Sequence, residues 1–417
     1  MRSHILFIVV SGLACASAPA ALAQEPAPTR DSLERRVAGL EVQVDSLRRL
    51  VAALAAERRD TTDAAGELAA LRARARALAP ETPDTTPRQF VLRSRSLSQL
   101  NPKISVTADV RVAAVRPGRQ QDNVDVREFA IGFQAALDPY SNAKVFASFG
   151  HHVEIEEGYA YWNNLPGGLR LDVGRFRQQL GELNRWHLHA VPGTEYPLVL
   201  RQYFGHHGLV GNGLGLYTLL PVTSPGRGVH EVWGQVALAD NETMFGGGRR
   251  LSVLGHVNNF WQVDRATFVQ VGATALYGEN PDSGLASRLL GADARVTWRP
   301  PERALYRAFT LRAEGFAVRR RLAGLVETRY GGYAAAELQL SRQAQLGGRL
   351  ESVERLDGST SVWQTSAYLT WWQSEWVFAR AEWQHLSVPG LGGARDHTDR
   401  LLLQVVWSAG PHKHENY

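Results

Sequence analysis

From Lys103 to Trp407 the chain repeats one pattern, about ten residues alternating apolar and polar and then a turn, and the repeats number roughly sixteen. In the first, Ile104, Val106, Ala108, Val110 and Val112 fall on one face, and Ser105, Thr107, Asp109 and Arg111 on the other. The next sets Phe129, Ile131, Phe133, Ala135 and Leu137 opposite Glu128 and Gln134. Later segments repeat this: Ala292, Ala294, Val296 and Trp298 oppose Asp293, Arg295 and Thr297, and Leu401, Leu403, Val405 and Trp407 share the apolar face of the last. A soluble sandwich also alternates, but it does not place Arg and Glu repeatedly on the face that must be its interior. A membrane permits the arrangement if the strands close, because closure satisfies every backbone N–H and C=O and leaves a polar lumen. The prediction is an all-β chain: a transmembrane antiparallel β-barrel of about sixteen strands over residues 101–417, its inward charges solvated.

The preceding residues read differently. Arg2, the apolar run Ile5 to Val10 and Ala21-Leu22-Ala23 form a secretory signal peptide, residues 1–23. From Asp31, Leu33, Val37, Leu40, Val44, Leu47, Val51 and Leu54 recur in steps of four and three, a heptad with Val at a and Leu at d. It lapses across Arg58 to Gly66 and partly resumes to Leu78, so residues 24–78 are predicted to carry a short coiled coil. Pro80, Pro83 and Pro87 mark residues 79–100 as a linker. Together these place the chain in the outer membrane of a Gram-negative (diderm) bacterium, with the coiled coil in the periplasm and within reach of peptidoglycan.

Composition sharpens this picture in three ways. The single cysteine, Cys15, lies in the signal, so disulfide and thiolate chemistry are excluded from the mature chain. There is no apolar run of eighteen residues for a spanning helix, while 11 Trp and 12 Tyr suit the interfacial girdles of a barrel. Of 46 basic residues only Lys103, Lys144 and Lys413 are lysines. Genomic base composition is the blander reading of that bias. The functional one is a lumen lined by arginine, whose planar fork suits oxyanions.

Alternation stops over residues 177–208, "RQQLGELNRWHLHAVPGTEYPLVLRQYFGHHG". Loops this long in a compact protein are uncommon and often functional. Folded into the barrel, this one would narrow the lumen, with Arg175, Arg177, Arg185 and Arg201 as a basic constriction tempered by Glu182 and Glu195. The alternative is an outer loop held by ordinary salt bridges. His187, His189, His206 and His207 are candidate metal ligands, and His412 and His414 follow the last strand, but no Cys or closely spaced carboxylate joins them. Polar loop histidines are the simpler reading. Ser283, His256 and Asp264 do not assemble into a triad by sequence, no G-x-S-x-G or phosphate-binding Gly loop is present, and neither enzyme activity nor a cofactor is expected. The run Arg319-Arg320-Arg321 is read as meeting lipopolysaccharide phosphates or solvent, not nucleic acid.

Three segments carry a resemblance: "EEGYAYW…LPGGLRLDVGRF", "LNRWHLHAVPGTEYPLVLRQYFG" and the late "DRLLLQVVW". They resemble outer-membrane proteins of the phosphate-selective porin type, and within it a poorly characterised group with an acidic strand, a P-G-G turn and a His-containing loop. The match is specific over residues 156–205 and looser towards the C-terminus. The histidine spacing of the ending, Gly410 to Tyr417, departs from that group. The resemblance implies a porin-like barrel, often a homotrimer, with an N-terminal periplasmic coiled coil; Val at a and Leu at d lean instead towards two strands. Such porins line their pores with lysine, so phosphate specificity is not implied here. The expected function is passive diffusion of small hydrophilic solutes, with a preference for anions. The alternative is a binding or envelope-tethering barrel, metal-linked through the loop histidines, without an open pore.

Overall fold

The computed structural model describes residues 102–117, 123–149, 153–222, 228–245, 250–280, 285–356, 361–390 and 393–410. The segments read as signal peptide, coiled coil and linker lie outside these residues, as do Ser283, His412 and His414. Among the described residues, sixteen antiparallel strands form one closed barrel in chain order, with β1 (Lys103–Arg116) sealed against β16 (Arg395–Ala409). The alternation predicted from the sequence sets the register. Ala292, Ala294 and Val296 of β10 (Ala286–Trp298) point outward while Asp293 and Arg295 point in, and they pair in step with Gly315–Leu311 of β11 (Ala308–Leu322).

Because every neighbour is antiparallel, connections alternate between two ends. One end carries turns such as 137–140, 166–168, 263–266, 340–343 and 373–376, together with both barrel termini. The opposite, loop end carries the connection 178–209 between β5 (Leu169–Arg177) and β6 (Val210–Leu219). The outer wall is apolar: Leu290, Leu350 and Trp363 are 66, 63 and 56 % exposed. That surface is stable facing hydrocarbon and not water. Trp298, Trp371, Trp376 and Trp407 stand exposed near the turn end, and Tyr277, Tyr330 and Trp363 nearer the loop end, as two girdles.

Besides a register shift between Trp162 and Leu165, beside the turn 166–168, two β-bulges interrupt the pattern further from the turns. Between β1 and β2 (Asn123–Ala136) the register passes from Asp109↔Glu128 to Val110↔Val126, so Arg127 is the extra residue. Between β3 (Ser141–Phe149) and β4 (Val153–Leu165) it passes from Phe146↔Glu157 to Ala147↔Ile155, leaving Glu156. A bulge turns two consecutive side chains towards the same side. Arg127 with Glu128, and Glu156 with Glu157, are accordingly all withdrawn from the outer surface into the lumen side.

The lumen departs from expectation in one respect: its inward charges are mostly not solvated. Segment 178–209 lies inside the barrel and is buried over most of its length. Its Leu180, Leu183, Val199, Leu200 and Tyr203 join Leu254, Leu276, Leu289, Phe316 and Val318 of the wall in one apolar cluster. Each such buried side chain contributes about 1.5–3 kcal/mol relative to exposure. This cluster, more than any one hydrogen bond at about 0.5–1.5 kcal/mol net, keeps the loop in the lumen.

Candidate functional site

A buried loop without regular structure must find partners for its peptide groups. Here the wall supplies them, and this is where the inward charges go. The Glu314 carboxylate of β11 accepts the backbone N–H groups of Glu182 (3.0 Å) and Leu183 (2.8 Å) and the Tyr333 hydroxyl (2.8 Å). Glu382 accepts the Thr194 N–H at 2.5 Å, and Glu351 that of Leu198. In the other sense Arg349 donates to the carbonyls of Pro192 (3.0 Å) and Glu195 (3.1 Å), and Arg380 to those of Val191 (3.2 Å) and Gly193. Hydrogen bonds to charged groups are worth about 1.5–3 kcal/mol each, so the loop is fixed on several sides at once.

Within the loop, two 3₁₀ turns, Leu183–Arg185 and Leu188–Ala190, lead to a short helix α1, Leu198–Phe204. Pro197 precedes its first turn, and Gly205 ends it at φ +82°. Gly181 has a direct steric reason: its φ is +58°, and a Cβ there would collide with the Glu314 carboxylate.

The four predicted arginines are dispersed. Arg175 sits near the loop end, 2.9 Å from Asp240 and 3.4 Å from Glu154. Arg177 is buried, paired with Glu156, and donates to the Tyr196 hydroxyl (2.8 Å) and the His207 carbonyl (2.7 Å). Arg177 and Arg185 border one narrow cleft with Arg170, Asp172 and Trp233. Arg201 belongs elsewhere, at Glu195. That carboxylate is held by Arg201 (2.7 Å), Arg111 (2.8 Å) and Arg400 (3.2 Å). Burial alone would raise the Glu195 carboxyl, but these guanidiniums overcome it and hold it well below the usual range. Arg111 and Arg400 were not singled out in the sequence; both lie on the polar face of an alternating strand, which is their only signal.

The histidines also separate. The rings of His187 and His189 stack 5.8 Å apart, with Phe146 3.9 Å from His187. His187 Nδ1 lies 3.2 Å from Glu156 and Nε2 2.9 Å from Glu157, which also pairs with Lys144 at 2.8 Å; His189 Nδ1 lies 3.2 Å from Glu128. The carboxylates absent from the local sequence thus arrive from the two bulged strands. His207 stays half-exposed, 3.6 Å from Glu154, and burial with nearby Arg201 lowers His206. Among the described residues no group of three His, Cys, Asp or Glu side chains has metal-holding geometry. His256 is buried on the inner wall against Thr274 (2.9 Å), whereas Asp264 caps its own turn through Ala266 and Thr267; they share no site.

His187 makes loop anchoring pH-dependent. Burial disfavours its charged ring, but hydrogen bonds to Glu156 and Glu157 outweigh this and raise its pKa, even against the neighbouring Arg177. The contribution is therefore complete below about pH 6.5, the unfolded value, and is lost as pH rises through the raised folded value. The midpoint of thermal unfolding should fall more steeply between pH 6 and 9 in the native protein than in His187→Gln. Equal slopes would remove His187 from the balance.

No family model matches the chain. An uncharacterized protein of Aquifex aeolicus (strain VF5) is 35 % identical over 89 residues, a stretch covering 21 % of this chain and only 19 % of that protein. Among solved structures, the anion-selective porin from Comamonas acidovorans superposes with a TM-score of 0.55 at 9 % identity, covering 74 % of this chain and 99 % of the porin. OmpT, an outer membrane protein of Vibrio cholerae, gives 0.50 at 8 % identity over 77 % of this chain and all of that one, 100 %. The chain has the fold of these outer-membrane barrels.

Proposed function

We propose that this chain is a porin-like protein of the Gram-negative outer membrane that passes small hydrophilic solutes, anions in preference, past a loop fixed across its lumen. The observation that carries the reading is the excess of arginine where the lumen is narrowed. Arg111, Arg201 and Arg400 share the carboxylate of Glu195, with Asp125 a further 3.8 Å from Arg111, and Arg185 borders the separate cleft against Glu157, Arg170 and Trp233. A net positive, water-poor constriction raises the local concentration of anions and repels cations. Arg177 serves differently: buried against Glu156, it holds the loop, and Arg175 marks the loop-end mouth. The apolar outer band meets outer-membrane lipid, with lipopolysaccharide around the loop end, and we place the barrel in a homotrimer. Residues 24–78 stand on the periplasmic side, near peptidoglycan.

A second reading rests on the apolar cluster that fills part of the lumen: a barrel that holds a ligand or tethers the envelope without conducting. Planar-bilayer recordings separate the two. The first reading expects discrete channels whose reversal potential in a salt gradient favours anions, and a shift towards zero in Arg185→Gln/Arg201→Gln. Absence of any conductance from correctly folded protein favours the second reading. Unchanged selectivity in the double variant removes both arginines from the filter.

A further inference from the structure

On the outer wall near the loop end, three side chains of β15 (Val377–Pro389) and β16 form a chain of contacts that serves neither the lumen nor the loop. Ala381 and Trp383 face outward while Glu382 and Gln384 are buried inward, so alternation carries His385 to the outer face. Leu401 and Leu403 do the same for His397 and Asp399 of β16. His385 pairs in register with Asp399, and Ser387, the partner of Trp363, pairs with His397. The three therefore lie level with the loop-end girdle, to which Trp363 and Tyr277 of β9 (Thr267–Glu279) belong, where water meets the apolar band. The side chains of His385 and Asp399 are 35 and 50 % exposed, and His397 is exposed as well.

Their geometry is specific. Asp399 Oδ1 lies 2.9 Å from Nδ1 of His385. An ionised carboxylate accepts, which places the hydrogen of the neutral ring on Nδ1 and leaves the lone pair on Nε2. That Nε2 lies 3.2 Å from Nδ1 of His397, with the ring centres 5.2 Å apart and the planes at 24°. Two imidazole nitrogens bound to one tetrahedral zinc, each at about 2.0–2.1 Å, stand about 3.3–3.4 Å from each other. The observed spacing is close to that. A hydrogen bond from His397 Nδ1 to His385 Nε2 also fits, at the long end of its range, and differs from the metal-bound pair by one proton on His397. What favours a metal is the carboxylate: a ligating histidine characteristically donates its other ring N–H to such a group, which fixes its tautomer and raises its basicity. Asp399 backs His385 from the far nitrogen, so the ion takes two protein ligands, and the exposure of the pair leaves room for water at the remaining positions.

We propose that His385 and His397 form an open outer-wall site for one divalent transition-metal ion, with Asp399 orienting His385. Two imidazoles with oxygen ligands suit Cu²⁺, Zn²⁺ and Ni²⁺ and not Mg²⁺ or Ca²⁺. The site goes beyond the pore reading, because it lies outside the lumen and is the same whether or not the barrel conducts.

The test uses the full-length protein without a polyhistidine tag, in detergent and a non-chelating buffer, titrated with the chlorides of Cu²⁺, Zn²⁺, Ni²⁺, Mn²⁺ and Mg²⁺. Calorimetry should show one saturable site, tightest for Cu²⁺, weaker for Ni²⁺ and Zn²⁺, weakest for Mn²⁺ and absent for Mg²⁺. The Trp383 ring lies 6.0 Å from that of His385, so bound Cu²⁺ should quench tryptophan fluorescence, and Trp383→Phe should remove most of that quenching while calorimetric binding persists. His397→Ala, which removes a ligand, should abolish saturation. Asp399→Asn keeps both ligands and should weaken binding about 10–100-fold. Both changes are at exposed outer-wall positions, and an unchanged strand signal in circular dichroism shows that the barrel is intact. His206→Ala/His207→Ala and His412→Ala/His414→Ala should leave binding as it is. No saturable binding of any of these ions, binding that survives His397→Ala, or binding lost in either of the other histidine pairs overturns the site. Affinity unchanged in Asp399→Asn removes the orienting role of the carboxylate.

Discussion

Replacing residues 180–207 by a short Gly–Ser turn should raise single-channel conductance several-fold and leave the barrel assembled. The strands on either side are already paired up to Arg177↔Val210, so a tight connection fits their register. A sixteen-strand barrel without an internal loop encloses an aqueous channel. The loss falls on the loop's own packing: Leu180, Leu183, Val199, Leu200 and Tyr203 leave the cluster, and Leu254, Leu276 and Phe316 face water. Glu314, Glu351 and Glu382 lose the loop N–H groups they accept, but water then replaces these, so no charge is left buried without a partner. The variant should therefore unfold at lower temperature than the parent while retaining its strand signal in circular dichroism. Selectivity should weaken too, because Glu195 and Arg201 leave with the loop and the remaining arginines stand in a wide, screened lumen. Conductance equal to the parent's, from folded protein, would show that the loop does not restrict the path.

The barrel was legible in the sequence because period-two alternation follows directly from strand geometry, and only closure lets sixteen such strands cross a bilayer. The loop was legible for the complementary reason: residues 178–209 break the period. What it touches was not. Glu128, Glu156 and Glu157 reach His187 and His189 across 30 to 61 residues of chain. Two of the three depend on the bulge at Glu156, which shifts a face by one residue without a change in composition. The apolar half of the lumen was hidden for another reason. Near the loop end both faces of β9 and β10 are apolar, Leu276 and Leu289 inside and Tyr277 and Leu290 outside. Such a run keeps no record of which side is lumen. Likewise the inward Arg and Glu signalled a polar interior, yet sequence cannot distinguish charges that meet water from charges that meet a loop's peptide groups.

Glu195→Gln should have the largest effect of any single substitution on both stability and selectivity, and in a direction that identifies its cause. Its carboxylate is the shared partner of Arg111, Arg201 and Arg400, on two wall strands and the loop. Removing one partner of a buried ionic cluster costs up to about 3–5 kcal/mol; here Arg111 keeps Asp125 at 3.8 Å, while Arg201 and Arg400 keep only the neutral amides of Gln364 and Gln384. The thermal midpoint should fall accordingly, and the reversal potential should move further towards pure anion selectivity, because three guanidiniums then face the path with only Asp125, 3.8 Å from Arg111, as counter-charge. Two further measurements separate this from mere loss of packing. Sulfate should restore part of the midpoint in Glu195→Gln and little in the parent, because an oxyanion can occupy the place of the carboxylate. Adding Arg201→Gln to the variant should recover stability rather than lower it again, the sign of coupling expected when repulsion is the damage. The parent's acid response has the matching sense. The folded Glu195 carboxyl titrates well below its unfolded value, so its contribution is present above about pH 4.3 and lost only as pH falls towards the depressed value. Glu195→Gln should therefore flatten the acid limb of the stability profile. A variant with the parent's midpoint, selectivity and acid limb would mean that the three arginines are neutralised by something other than Glu195.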